Sequence, residues 1–117
     1  SLLFFFLRKE LLANPDRPQA YVALGDFFRK QALYGEAERV FLDALARAPT
    51  SGKERLSILV KLAEAQALST RREAAANTLR TYLKANGSKQ KIERLKPLFE
   101  NDPQVQVQDL FEEQGLF

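Results

Sequence analysis

The chain of 117 residues contains no cysteine, histidine, methionine or tryptophan. Each absence closes off some chemistry. Without Cys there is no disulfide and no thiolate nucleophile, and without His there is no Cys/His zinc site and no imidazole base. A chain without thiols is compatible with either redox compartment, so cytoplasmic and periplasmic settings both stay open. Glycine and proline number five each, and no stretch alternates apolar and polar residues for long, so strands are not expected. No run approaches the ~20 apolar residues needed to span a bilayer. The nearest is Leu2 to Leu7, which stops at Arg8 and Lys9. It reads either as the last turns of a membrane anchor or as one helix of a helical array, and the register below favours the array. The lack of Met also reads Ser1 as other than a translation start.

What is present is helical. The chain is 45% hydrophobic and 28% charged, a composition of folded proteins. Its length suits one domain with a core of its own. An apolar helix is expected over residues 2–14, stopped by Asn14-Pro15. Asp16, with Gln19 three residues on and Pro18 in the first turn, marks the start of a helix to about Gln31. Gly35 falls in a short turn, and a further helix runs from about Glu36 to Ala48 before Pro49. Ser51 with Glu54, and Thr70 with Glu73, read as capping boxes for helices at about 52–68 and 71–85. Asn86-Gly87 supplies a left-handed stop. Ser88 is expected to cap a helix from about Lys89 to Glu100, with a kink or a short last turn at Pro97. Asp102-Pro103 opens a last helix to about Gln114. The sum is about seven helices, made antiparallel by short connections.

Charge is unevenly spread. Net charge is +3, yet all 18 basic residues lie within residues 1–98. That stretch carries +8, and residues 99–117 carry −5 from Glu100, Asp102, Asp109, Glu112 and Glu113. The ordinary reading is an acidic C-terminal element packed near a basic body. The sharper one is a basic body that binds an anionic surface.

Residues 18–51 carry an internal pattern. Counting Pro18 as first, Tyr21 is fourth, Leu24 and Gly25 seventh and eighth, and Phe28 eleventh. Tyr34, Ala37, Phe41, Ala44 and Pro49 follow at positions 17, 20, 24, 27 and 32. Small Gly25 and Ala37 suit a close crossing of two helices. Large Tyr21, Phe28 and Phe41 suit packing on a neighbouring pair, and Ala44 leaves room for the next helix. The pattern resembles the tetratricopeptide repeat of 34 residues. Thirty-four residues before Pro49 lies Pro15, so residues 1–17 would be the second helix of a preceding repeat, with Leu3 and Leu7 in register and the Phe4–Phe6 run as packing surface. Later, Leu62-Ala63 matches Leu24-Gly25 at an offset of 38, with Ala75, Leu79 and Tyr82 following. Residues 52–87 are then a degenerate repeat whose first helix is about one turn longer. Residues 88–117 resemble a further degraded pair acting as a cap.

The resemblance implies an all-α superhelix whose first helices line a concave groove for a protein or peptide ligand, with no enzyme activity and no cofactor. The implied groove positions are Gln19, Val22, Asp26, Arg29 and Lys30, then Ser57, Val60, Glu64, Ala67 and Leu68. Members that grip a terminal carboxylate use Lys, Asn and Arg there. Asp26 and Glu64 depart from that, and suit a ligand with a basic or amide group and small apolar anchors. The carboxylate pairs Glu36/Glu38 and Glu112/Glu113 read as solvated surface, and no carboxylate cluster or glycine-rich loop offers a metal or phosphate site. Nucleic-acid or anionic-surface binding by the basic body is the alternative, weakened by the scatter of Lys and Arg over many helical phases. A purely structural or self-associating module, through the N-terminal helix or the C-terminal tail, is the third.

Overall fold

The computed structural model describes residues 1–100, and the helix expected after Asp102-Pro103 lies outside them. The described chain is all helical: α1 (Leu2–Ala13), α2 (Pro18–Lys30), α3 (Tyr34–Arg47), α4 (Lys53–Leu68), α5 (Arg72–Lys84) and a 3-10 helix (Gln90–Leu98). Each boundary falls within about two residues of the sequence expectation. The reason is the spacing of apolar residues. Ala20, Tyr21, Leu24 and Gly25 are the buried side of α2, and Ala37, Phe41 and Ala44 lie on that of α3. Ala75, Ala76, Leu79 and Tyr82 do the same for α5. These are helical intervals of three and four, which give each helix one inward stripe.

Burial recurs with the 38-residue offset. Leu24, Gly25, Ala37, Phe41 and Ala44 are buried, and so are Leu62, Ala63, Ala75, Leu79 and Tyr82. The loops recur as well. Ala32 and Thr70 both stand at positive φ, 60° and 65°. After α2, the Leu33 amide donates to the Phe28 carbonyl at 2.9 Å, and after α4 the Arg71 amide donates to Gln66 at 2.8 Å. Both are the six-to-one closure of a helix end through a left-handed residue. One helix pair is thus built twice. The second pair's first helix has 16 residues against 13, the extra turn expected from the offset.

The stops differ from the sequence reading in chemistry. None of Asp16, Ser51, Thr70 and Ser88 caps a helix with its side chain. The N-cap positions are Arg17, Gly52, Arg71 and Lys89, none with a side-chain cap bond. After α2, α4 and α5 the turns are instead closed from the preceding helix by backbone bonds, and each candidate cap falls one residue before the observed N-cap position. Gly35 is likewise inside α3, which begins at Tyr34. The left-handed stop expected at Asn86-Gly87 is present, with Asn86 as the residue at positive φ, 66°. Gly87 is needed for space, because a Cβ there would come within 3.0 Å of the Tyr82 ring. The segment expected as an α-helix to Glu100 winds as a 3-10 helix. Pro97 lies inside it, one residue before its end.

A left-handed conformation costs a residue with a Cβ about 1–2 kcal/mol, and glycine returns part of that gain as chain entropy. Ala32→Gly and Thr70→Gly are each expected to stabilise the fold by about 0.5–1 kcal/mol in urea denaturation. The β-branched Thr70 should gain more. Destabilisation by either substitution would contradict the turn geometry.

The core forms along the stack. Phe41 packs with Ala37, Leu62 and Ala65, while Tyr21, Ala44 and Ile58 cluster beside it. Leu59, Ala63, Leu79 and Tyr82 join Ile92, Leu95 and Phe99 from the C-terminal segment. Arg72 Nε donates to the Leu98 carbonyl at 2.9 Å and holds that segment down. At the other end, Tyr21 Oη and Arg47 Nε both donate to the Pro15 carbonyl, at 2.8 and 2.6 Å. The Arg47 guanidinium also sits 4.2 Å over the Tyr21 ring.

α1 is the loosest member, and none of its residues is fully buried. Phe4 meets Phe27 and Phe28 at ring separations of 5.8 and 5.9 Å. Phe5 and Phe6 remain 63% and 57% exposed. Of the Phe4–Phe6 run, Phe4 makes the ring contacts to α2, while Phe5 and Phe6 meet each other edge-on at 6.5 Å. Leu3 at the implied small position is also exposed. Among the described residues, no helix is long and apolar enough to cross a membrane.

Candidate binding face

Three polar bridges join α2, α4 and the 3-10 helix across one face. Gln19 Nε2 on α2 donates to Glu54 Oε1 on α4 at 3.0 Å. Lys61 Nζ on α4 donates to Asp26 Oδ1 on α2 at 2.8 Å. Arg94 on the 3-10 helix pairs with Glu64 on α4. Three of the ten implied groove residues, Gln19, Asp26 and Glu64, thus hold neighbouring helices together. Arg29 lies 4.0 Å from the Asp26 carboxylate, one turn along α2. Lys30 is exposed beside it.

The bridges change the electrostatic reading. Asp26 and Glu64 read from sequence as open acids that would greet a basic ligand. Each is already matched by a cation from a neighbouring helix. Such partly exposed pairs contribute little stability, typically 0–1 kcal/mol each. Their effect on the surface is larger, because they cancel the acidic charge of the face.

Two depressions flank the bridges. The first, about 330 Å³, lies between α2 and α4 and is lined by Gln19, Val22, Asp26, Glu54, Ser57 and Ile58 among others. Val22 gives it an apolar wall. The second, about 690 Å³, lies between α4 and the C-terminal segment. Leu56 and Val60 line it, with Tyr82, Asn86, Ser88 and Gln90, and its charged residues are Lys53, Lys61, Lys91 and Arg94. Among the described residues, no carboxylate lines it. Burial pushes the Tyr82 phenol above the ordinary tyrosine value, so it stays protonated at neutral pH. Its hydroxyl donates to the Ser88 carbonyl at 2.8 Å.

The structure thus brings Gln19, Val22 and Asp26 into one depression and places Val60 in the other, with Glu64 on the bridge to Arg94. Ala67, an implied groove position, is buried in the core instead, and Leu68 is half-buried. The four cleft cations were not singled out from sequence. The readable signal was Lys91 and Arg94, one helical turn apart, and Lys61, next to Val60.

Glu38 also departs from expectation. Paired with Glu36 it reads as solvated surface, yet it is buried. Gln66 Nε2 and Arg71 Nη1 both donate to its Oε2, at 3.1 and 2.8 Å. Thr78 Oγ1 donates to Gln66 Oε1 at 2.6 Å, which completes a buried chain from α3 through α4 to α5. Glu36 stays exposed and pairs with Arg39. Glu112 and Glu113 lie outside the described residues. Among the described residues, no group of three or more Asp, Glu, His or Cys converges on a metal position.

Comparison with family models, with curated proteins and with solved structures finds no match to this chain.

Proposed function

We propose that this chain is a non-catalytic interaction module of the tetratricopeptide type. It would hold a peptide or a partner helix on the concave side of a helical array, along α2, α4 and the 3-10 helix. The observation that carries this reading is the recurrence at 38 residues. Buried positions and helix-end closures repeat together, as in an array in which each helix pair packs on the next. Residues 1–17, 18–51, 52–87 and 88–117 are then successive parts of that array. The depressions on the α2/α4 face supply concave surface, and Val22 and Val60 supply small apolar anchors. Without Cys or His, catalysis has few candidates, and binding is the natural use of such a scaffold.

The test is a set of peptides selected on the protein from a displayed random library. The triple variant Asp26→Ala/Arg29→Ala/Glu64→Ala should weaken their binding at least tenfold. Its melting temperature should fall only a few degrees, because each lost ion pair is partly exposed. Undiminished binding of the selected peptides by the triple variant would overturn the reading.

A further inference from the structure

The cleft between α4 and the C-terminal 3-10 helix has a charge character that the rest of the face lacks. Among the described residues its charged lining is cationic: Lys53, Lys61, Lys91 and Arg94. Lys61 and Arg94 are tied to Asp26 and Glu64 and are thereby held in place. Lys53 and Lys91 are both exposed and have no acidic partner among the described residues. Between these cations, Leu56 and Val60 are half-buried and pack on the core beneath. The arrangement combines unmatched positive charge with an aliphatic surface, on a volume of about 690 Å³.

We propose that this cleft binds an acidic, leucine-like stretch of a partner polypeptide. Side-chain carboxylates would lie against Lys53 and Lys91, and an aliphatic side chain against Leu56 and Val60. This deepens the interaction reading above and rests on it. Partial desolvation strengthens the charge contacts, and the aliphatic contact contributes what a phosphate backbone has no group to use. Nucleic acid fits less well. Single strands are gripped by stacking bases on accessible rings, and Tyr82, the one ring among the described residues lining the cleft, is buried. Glu54 in the adjoining depression, bonded to the neutral Gln19, keeps its negative charge and would also face a phosphate chain continuing along α2.

The probe is a fluorescein-labelled hexapeptide, Glu-Leu-Glu-Glu-Leu-Glu, acetylated and amidated so that no terminal carboxylate is present. Fluorescence anisotropy at low salt should show saturable binding that weakens as salt rises. Replacing every Glu of the probe by Gln, or both Leu by Ser, should each weaken binding at least fivefold. The variant Lys53→Glu/Lys91→Glu should weaken it at least tenfold, and Lys53→Gln/Lys91→Gln should follow in the same direction. The equally charged variant Arg8→Glu/Lys9→Glu on α1 should change it less than twofold.

Equal loss in the α1 variant would reduce the effect to overall charge and overturn the proposal. Tighter binding of a single-stranded oligonucleotide, lost in the Lys53/Lys91 variant, would make the cleft a nucleic-acid surface. Displacement by a synthetic peptide of residues 101–117 at lower concentration than by the unlabelled hexapeptide would make the occupant this chain's own residues 101–117 and overturn the assignment to a partner. No binding of the hexapeptide, while library-selected peptides still depend on Asp26, Arg29 and Glu64, would sink this proposal and leave the interaction reading standing.

Discussion

Phe41→Ala is expected to destabilise the protein by about 3–5 kcal/mol, a large share of the 5–15 kcal/mol typical of a whole domain. The ring is completely buried and touches three helices. On one side it fills the place of a side chain that Gly25 lacks, since a Cβ at Gly25 would come within 3.0 Å of the ring. On the other side it meets Leu62 and Ala65 of α4. Truncation would leave a cavity where α2, α3 and α4 meet, and short turns give the backbone little freedom to collapse into it. The converse substitution, Gly25→Ala, should cost about 1–3 kcal/mol by forcing the same ring aside. In Phe41→Leu the smaller side chain should absorb most of the Gly25→Ala cost. Urea denaturation of the two single variants and the double variant measures this coupling. Additive losses, or a loss under 1 kcal/mol for Phe41→Ala, would contradict the contact.

Glu38→Leu is expected to cost about 2–3 kcal/mol, although it removes a charge from a buried position. The carboxylate accepts from Gln66 and Arg71 at once. Arg71 is itself more than half exposed and can return to water. The amide of Gln66 is buried and would be stranded as an unpaired donor, which carries the desolvation cost. Gln66→Leu should cost about 1–3 kcal/mol by the same logic, leaving Glu38 with one partner and Thr78 with only the Ala74 carbonyl at 3.0 Å. The double variant Glu38→Leu/Gln66→Leu removes both halves together. It should therefore be more stable than the sum of the single losses predicts, by at least about 1 kcal/mol. Strict additivity would show that the two side chains do not share a bond.

The fold was legible wherever it depends on near neighbours in sequence. The stripes of α2, α3 and α5 follow from apolar spacing, and the 38-residue offset was visible in Leu62-Ala63 against Leu24-Gly25. The helix stops were less legible. Ala32 and Thr70 take a left-handed conformation without glycine's chemistry, so nothing in their side chains announces it. The misassigned caps at Asp16, Ser51, Thr70 and Ser88 have the same origin, because a hydroxyl or carboxylate in a turn is no guide to which backbone bond closes it.

The face was legible by halves. Register placed Gln19, Asp26 and Glu64 on it. Their partners are 30 to 35 residues away, so no local pattern shows that the acids are matched. The basic character of the cleft arises in the same way. Lys53 and Lys91 occupy different helical phases in the sequence, and only the packing of the C-terminal segment beside α4 brings them to one cavity. Glu38 was misread because its partners, Gln66 and Arg71, also arrive from a distant pair.

The central claim is that α2, α4 and the 3-10 helix form the binding face. The most direct measurement is backbone amide shift mapping of the full chain, titrated with a library-selected peptide. Shifts should cluster at Gln19, Val22, Asp26, Ser57 and Val60 and in the 3-10 helix, and spare Arg39, Leu42 and Asp43 on the exposed side of α3. Shifts concentrated on α3 and α5, or on the exposed Phe5 and Phe6 of α1, would contradict it.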